Sequence, residues 1–351
     1  MSLNNTHTVS PGGIVLFAKL PGKTSFSSLY TIKHALHTKK VGHTGTLDSF
    51  AQGLLVVMTG SHTRLAQRVT AFDKKYEAII QFGSETDTLD LFGKVIKTKE
   101  LPTKNNVIKA VEKFCGDLMQ SPPSFSAVHV NGKRASDLAR AGKEFEIPKR
   151  PITVFSSKIK ELKYNNENLV QYAHIIFHVS KGTYIRCLAR DIGIESGSAA
   201  HLIGLLRTSV GSFELKDAVG TSFLRSFDIN TVVNDSAILK SQQADKNFST
   251  DTAVELRLQE EVVQKLRSMD SKIAKECGFF PVHLHENAKD SFFNGKPLKE
   301  SFFIEKLTDC SLDTYHLAVF CEDGFFAGEV IVFYKKNKLY LKYGFVIPLT
   351  N

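Results

Sequence analysis

Between positions 41 and 55 the chain reads VGHTGTLDSFAQGLL, and the rest of the sequence is arranged around this stretch. Three glycines, Gly42, Gly45 and Gly53, let the backbone turn where a side chain would clash. Between them sit one imidazole, His43, one carboxylate, Asp48, and hydroxyls. Two readings fit those residues. In the first, the stretch is a loop capping a helix that starts near Ser49, with Asp48 accepting hydrogen bonds from free backbone N–H groups. In the second it is a site. The segment is longer than a cap requires, which favours the second.

With 351 residues the chain is long enough for two domains and one large core. The formal net charge of +9 and the isoelectric point near 9.1 point to an anionic partner, with nucleic acid the first candidate. Cys115, Cys187, Cys277, Cys310 and Cys321 are odd in number, far apart, and in none of the spacings that bind zinc or form redox pairs. They read as reduced thiols of a cytoplasmic protein. The first residues lack a basic stretch followed by an apolar run, and no span of about eighteen apolar residues occurs, so neither export nor membrane insertion is expected.

Residues 1–11 are polar and expected to be disordered. A near-continuous apolar run from Gly13 to Lys19 predicts a strand buried on both faces. A helix is expected from about Phe26 to Leu36, with Phe26, Leu29, Tyr30 and Leu36 on or near one face. The Gly22-Lys23-Thr24 triplet is not a phosphate loop, because G-x-x-x-x-G-K-[ST] would need glycine where Phe17 stands. Leu54 to Thr59 is apolar, and Lys74 to Gly83 alternates as a strand does. Glu85 to Gly93 is Asp-rich without calcium-loop spacing, so a metal site is not expected and a turn is the plain reading for Asp87. Asn105 to Leu118 carries a helical stripe of Val107, Ala110, Val111, Phe114 and Leu118.

The segment 131–150 holds Lys133, Arg134, Arg140, Lys143, Lys149 and Arg150 against Asp137, Glu144 and Glu146. It is either a solvated face or an insertion reaching for phosphates after the Pro122-Pro123 turn. Tyr172 to Val179 reads as a strand, followed by a helix carrying Ile185, Leu188, Ala189 and Ile192. Arg186, early in that helix, opposes the helix dipole and calls for a negative partner. Residues 225–250 are polar and weakly patterned. Val254, Leu258, Val262 and Leu266 then mark one amphipathic helix capped by Asp251 or Ser249, with a domain boundary near 270 and a small β-barrel beyond it.

The central stretch resembles the H-x-G-T-L-D-P-x-A-x-G-x-L motif of the TruB-type tRNA pseudouridine synthases through His43, Gly45, Thr46, Leu47, Asp48, Ala51, Gly53 and Leu55, with Ser49 in place of proline. Further blocks follow in the family's order. Residues 18–25 resemble its K-P-x-G-x-T-S entry, with Ala18 and Leu20 as departures, and Gly60 to Arg64 its G-x-x-T-K. Lys74-Lys75-Tyr76 matches K-x-Y, Thr86 to Gly93 T-D-T-x-D-x-x-G, and Gln120 to Ala127 Q-x-P-P-x-Y-S-A with Phe125 for tyrosine. Lys181 to Arg186 matches K-G-T-Y-I-R, and Ala199 to Phe213 resembles A-H-L-x-x-L-x-R-T-x-x-G-x-F, so the resemblance runs from about Gly13 to Phe213.

The resemblance implies an α+β pseudouridine-synthase fold, a mixed central sheet flanked by helices, over residues 10–270, followed at 271–351 by a small PUA-like β-barrel that binds RNA. It implies conversion of a T-loop uridine of tRNA, position 55, to pseudouridine by base flipping, with Asp48 as catalytic carboxylate and Arg186 as its mate. Substrate contacts are implied for His43, which fills the vacated space, Tyr76, which stacks on the base, Leu205, which lines the uracil pocket, and also Tyr184 and Lys19. The insertion at 131–150 corresponds to a thumb loop that grips the T-arm through Lys133, Arg134, Arg140 and Lys143. No cofactor or metal is called for, and a monomer without a protein partner is expected. Two rivals stand beside this reading: an RNA-guided pseudouridylase subunit that needs partner proteins, and a non-catalytic tRNA-binding or folding protein. The intact insertion argues against the first and the presence of Asp48 against the second.

Overall fold

The computed structural model describes residues 12–244, 251–307, 314–336 and 338–348. The expectations for residues 1–11, for Ser249 as a cap and for Cys310 lie outside them. β1 (Gly13–Lys19) and β2 (Gln52–Thr59) are buried along their whole length and pair antiparallel. Apolar residues on both faces let them be covered on both sides, although β1 is the last strand of its sheet. Five more strands extend the sheet: β3 (Lys74–Phe82), β4 (Gly116–Gln120), β5 (Arg150–Tyr164), β6 (Val170–Val179) and β7 (Ala200–Val210). The order is β1-β2-β7-β3-β6-β5-β4, with Val41–His43 and Phe213–Glu214 pairing beside β2 and β7. The sheet is mixed, since β2 and β7 run parallel while the other neighbours run antiparallel. That parallel contact is very close. A Cβ on Gly53, whose φ is +110°, would meet the Arg207 carbonyl oxygen at 2.4 Å, so only glycine fits.

Helices α1 (Ser25–Ala35), α2 (Lys104–Lys113), α3 (Ile185–Glu195), α4 (Ile229–Ala244) and α5 (Thr252–Gln264) accompany the sheet. α3 buries Ile185, Leu188, Ala189 and Ile192 as its apolar period predicts. α5 starts behind Asp251, whose carboxylate accepts from Ala253 N, so the expected cap is in place. Three expectations need correction. α1 buries Ser25, Ser28, Leu29, Thr31 and Ile32 and leaves Phe26 and Tyr30 exposed, because small hydroxyl side chains let the helix lie close against its neighbours. α2 stops at Lys113, Gly116 takes a left-handed φ of +91°, and Leu118 falls on β4 instead of the helical stripe. The weakly patterned region holds α4, which Asp228 caps through Thr231 N and which docks Ile229 and Val232 on the main core.

Beyond residue 270 four strands form a second sheet, β8 (Phe280–His283), β9 (Thr314–Phe320), β10 (Phe326–Lys335) and β11 (Lys338–Val346), in that order. Its two edge strands do not pair with each other among the described residues. One face of this sheet closes on its own core, including Val282, Phe292, Val330 and Val332. On the other side Phe279, Phe320, Phe326 and Ile347 share one apolar cluster with Ile14, Leu16, Leu54 and Met58 of β1 and β2. Polar contacts reinforce the junction: Arg68 pairs with Glu329 at 3.1 Å and stacks over Phe279, and Arg64 donates to the Val346 carbonyl at 2.8 Å. Among the described residues no helix is long and apolar enough to cross a membrane.

Candidate active site

No helix starts at Ser49; the chain turns through Ala51 N donating to Asp48 O and enters β2 at Gln52. The helix-cap reading of Asp48 is thereby excluded. The loop is held through its backbone from three sides. Ser25, the first residue of α1, donates to Leu47 O at 3.1 Å and accepts from Leu47 N at 2.8 Å. Lys19 Nζ donates to the carbonyls of Leu20, Ser49 and Ala51 at 3.0, 3.1 and 2.6 Å. Arg207 spans the loop, with Nε on Leu54 O at 2.7 Å and Nη2 on Gly45 O at 3.0 Å. Lys19 and Arg207 are almost wholly buried, and burying a cation is tolerable only when carbonyl dipoles replace its water.

A cleft of about 390 Å³ opens above this loop, lined by Asp48, Lys74, Tyr76, Phe125, Tyr184, Arg186, Leu205 and Arg207 among others. Asp48 Oδ1 lies 3.0 Å from Arg186 Nη2. Arg186 is buried, and its planar fork is used on several acceptors at once. Nη1 donates to Thr88 O at 2.8 Å and faces Asp90 at 3.6 Å, while Nη2 also reaches Phe125 O at 3.1 Å. The negative partner that Arg186 calls for is therefore Asp48 together with Asp90. Asp90 itself is buried, which pushes the pKa of its carboxyl up against the opposing pull of the Thr88 hydroxyl and Arg186. Tyr76 faces Arg207 across the β3–β7 register, and Leu205 faces Ala78 two residues on. Gln120 clamps Tyr184 through both of its backbone groups, accepting from Tyr184 N at 2.8 Å and donating to Tyr184 O at 3.1 Å.

The cleft thus collects Asp48, Tyr76, Tyr184, Arg186 and Leu205 from separate elements. Two other candidates stand outside it. Lys19 does not line the cleft; it braces the loop from beneath, and burial pulls the pKa of its ammonium down to about 7 despite the opposing influence of Asp48. His43 also lies off the cleft lining, on the short Val41–His43 strand. Its Nδ1 accepts from Gly45 N at 3.4 Å, and burial with Arg207 nearby pushes its pKa down.

Lys133, Arg134, Arg140 and Lys143 lie on the insertion, and all four are exposed. That insertion has a small core of its own, Val128, Ala135 and Ile147, against which Phe145 and the cleft residue Tyr184 pack. A larger groove of about 640 Å³ runs between the Asp-rich turn and the insertion, lined by Asp87, Pro123, Phe145 and Arg190, but Asp48 is not part of it.

Sequence reasoning assigns no role to Arg207, Asp90, Lys74 or Ser25. Arg207 has one signal, an arginine directly after the apolar run Leu202–Leu206 of β7. Lys74 lines the cleft with its ammonium on Thr70 O and Phe72 O, and burial lowers its pKa to about 8, with Arg207 adding to that effect. Lys74, Arg186 and Arg207 therefore surround a space that Asp48 enters and that Tyr76 and Leu205 wall with apolar surface. Such a space suits an uncharged base attached to a phosphate-bearing chain, with one carboxylate in reach of the sugar.

The family described as TruB family pseudouridylate synthase (N terminal domain) matches residues 33–185. The tRNA pseudouridine synthase B of Treponema denticola is 39% identical over 333 residues, covering 88% of this chain and 92% of that protein. That of Borreliella burgdorferi is 45% identical over 207 residues, 59% of this chain and 72% of its own length. Among solved structures, a Cbf5-Nop10-Gar1 complex superposes with a TM-score of 0.59 at 20% identity, over 96% of this chain and 85% of that one. This last likeness speaks to the fold alone.

Proposed function

The chain belongs to the TruB family of pseudouridylate synthases, and from that premise we propose that it converts the T-loop uridine at tRNA position 55 to pseudouridine, with Asp48 as the catalytic carboxylate. The observation that carries the proposal is the Asp48–Arg186 pair at 3.0 Å in a cleft walled by Tyr76 and Leu205. The reaction breaks the N1–C1′ bond of uridine, turns the uracil and joins C5 to C1′. Nothing is oxidised or reduced and no group leaves the site. It needs a carboxylate against the nucleoside, as nucleophile or as base, and Asp48 is the carboxylate the cleft offers, with 34% of its side chain exposed. Asp90, the other one on Arg186, is buried at 10% side-chain exposure.

The base must leave the loop to reach Asp48, at a cost of roughly a few kcal/mol. Tyr76 stacks on it, Leu205 lines the uracil edge and Tyr184 borders the entrance. His43 and Lys19 act on the loop that carries Asp48. Recognition by loop shape fits a cleft whose cations, Lys74, Arg186 and Arg207, are already engaged with backbone carbonyls. The insertion supplies phosphate contacts to the T-arm through Lys133, Arg134, Arg140 and Lys143, and the C-terminal sheet serves as a PUA-like RNA module. The enzyme works in the cytoplasm as a monomer without cofactor, guide RNA or protein partner; the folded insertion, with its own apolar cluster, supports a stand-alone enzyme over a guided subunit.

The purified chain alone, incubated with an unmodified tRNA transcript, is expected to give a carbodiimide-dependent stop at position 55. Asp48→Asn should remove that stop while keeping tRNA affinity within about tenfold, because the amide preserves shape but is neither nucleophile nor base. Turnover by the variant would overturn the role of Asp48. Product only in the presence of guide RNA would favour the guided subunit.

A further inference from the structure

We propose that the exposed face of α1 is a second RNA-binding surface, separate from the cleft and from the basic insertion. Phe26 and Tyr30 stand about one turn apart on α1 at 73% and 58% exposure, among the most exposed aromatic residues of the molecule. Neither belongs to the core; the helix is anchored through Leu29 and Ile32, which share an apolar cluster with Leu258 and Val262 of α5. Each ring has a basic side chain against it. Lys33 Nζ sits 5.1 Å from the Phe26 ring centre, and the rings of His34 and Tyr30 lie 4.0 Å apart. Aromatic rings beside basic groups are what single-stranded or unpaired nucleotides bind, since every base has a π-face and every nucleotide a phosphate.

The charge of the region selects the partner. No Asp or Glu occurs anywhere in the chain before Asp48, whereas Lys33, Lys39 and Lys40 all belong to α1 and the turn that follows it. Exposed aromatics on a segment whose own charged side chains are all cationic favour a polyanion over a neutral or basic protein surface, the glutamates of the region, Glu255, Glu260 and Glu261, belonging to the adjoining α5. The helix is also tied to the site: α1 begins at Ser25, which grips Leu47 by both backbone groups, one residue from Asp48. RNA seated in the cleft can thus pass over the Asp48 loop onto α1. The inference rests on the reading of the protein as a tRNA-modifying enzyme, and a base stacked on Phe26 or Tyr30 is the contact it adds.

The test compares the full chain with Phe26→Ser/Tyr30→Ser and with Phe26→Tyr/Tyr30→Phe, using full-length unmodified tRNA. The serine pair should raise Kd about tenfold, a stacked base no longer having its platform, with kcat at saturating tRNA unchanged. The aromatic swap should restore binding. Lys33→Gln with Lys39→Gln and Lys40→Gln should reduce the slope of log K against log salt by roughly 0.7 to 0.9 for each phosphate no longer neutralised. Unchanged Kd and slope would overturn the proposal. So would unchanged RNA binding accompanied by a shift in sedimentation, which would assign the face to contact between copies. A thermal midpoint equal to wild type certifies that the variants fold. Wild-type tRNA binding without a product at position 55 would instead defeat the proposed function and leave the α1 surface to be judged by its own Kd.

Discussion

Arg186 is the residue on which the site depends, because one guanidinium holds Asp48, faces Asp90 and satisfies the carbonyls of Thr88 and Phe125. Lysine presents a point charge and cannot serve four acceptors in two directions. Arg186→Lys should therefore lower kcat on the order of 100-fold with a smaller change in KM, since the carboxylate is misplaced more than the substrate. Wild-type kcat in that variant would reduce Arg186 to a packing role. Asp48 and Arg186 are legible as a pair in the sequence because each lies in a recognisable block and the helix dipole demands a counter-charge. Lys19, Ser25 and Arg207 are not legible as braces of the loop. Their partners are backbone carbonyls and amides, which nearly every residue has, so no pattern of side chains reveals them. What the sequence offers is only that a lysine ends one apolar strand and an arginine follows the apolar run of another.

At the scale of elements, periodicity locates the buried strands and α3 and α5, where apolar residues alone decide the outcome. It misleads in α1, because the buried stripe there is built from serines and threonine beside Leu29 and Ile32, and hydropathy ranks an exposed phenylalanine above a buried serine. α4 escapes it for a related reason, its apolar residues being few and mostly only partly covered. The insertion is the element whose charge and fold bear most directly on binding. Val128, Ala135 and Ile147 hold it together, and Lys133, Arg134, Arg140 and Lys143, four of its six cations, are exposed and outside that core, so they can be changed without touching it. Replacing Lys133, Arg134, Arg140 and Lys143 with glutamine should weaken tRNA binding and reduce the salt slope by about 3, from four phosphates at roughly 0.7 to 0.9 each. Turnover at saturating tRNA should fall less than affinity. A slope equal to wild type would make this a solvated face.

For the whole molecule the junction between the two sheets is decisive, and His62 sits in it. The ring is buried against Phe326 at 5.6 Å, neither nitrogen has a hydrogen-bond partner among the described residues, and burial pushes its pKa down from 6.5 to about 4. In the unfolded chain the same imidazole takes a proton below about 6.5. Between those two values the unfolded state binds more protons, so stability falls as pH drops from about 6.5 towards 4, by up to about 3 kcal/mol from this group. Urea midpoints at about pH 7 and about pH 4.5, on either side of most of that window, should differ less in His62→Leu than in wild type; an equal difference would remove His62 as the cause.

The same junction governs how the molecule unfolds. The sequence predicts a boundary near residue 270; the last strand of the first sheet ends at Glu214 and the second sheet starts at Phe280, yet Phe279, Phe320, Phe326 and Ile347 complete the core that Ile14, Leu16, Leu54 and Met58 begin. A boundary in topology is thus not a boundary in packing, and only the tertiary arrangement shows which apolar residues face across it. β1 ends in Lys19 and β2 begins at the end of the Asp48 loop, so loosening their outer face is transmitted to the site. Removing residues 271–351 would bare that face to water, and the truncated chain should aggregate or melt well below the full chain. Calorimetry of the full chain should accordingly show one transition, with Phe326→Ala lowering its midpoint as a whole, since a Phe-to-Ala change in a core costs roughly 3–5 kcal/mol. Two separated transitions, with only the weaker one moved by Phe326→Ala, would show that the catalytic sheet stands without its C-terminal cover.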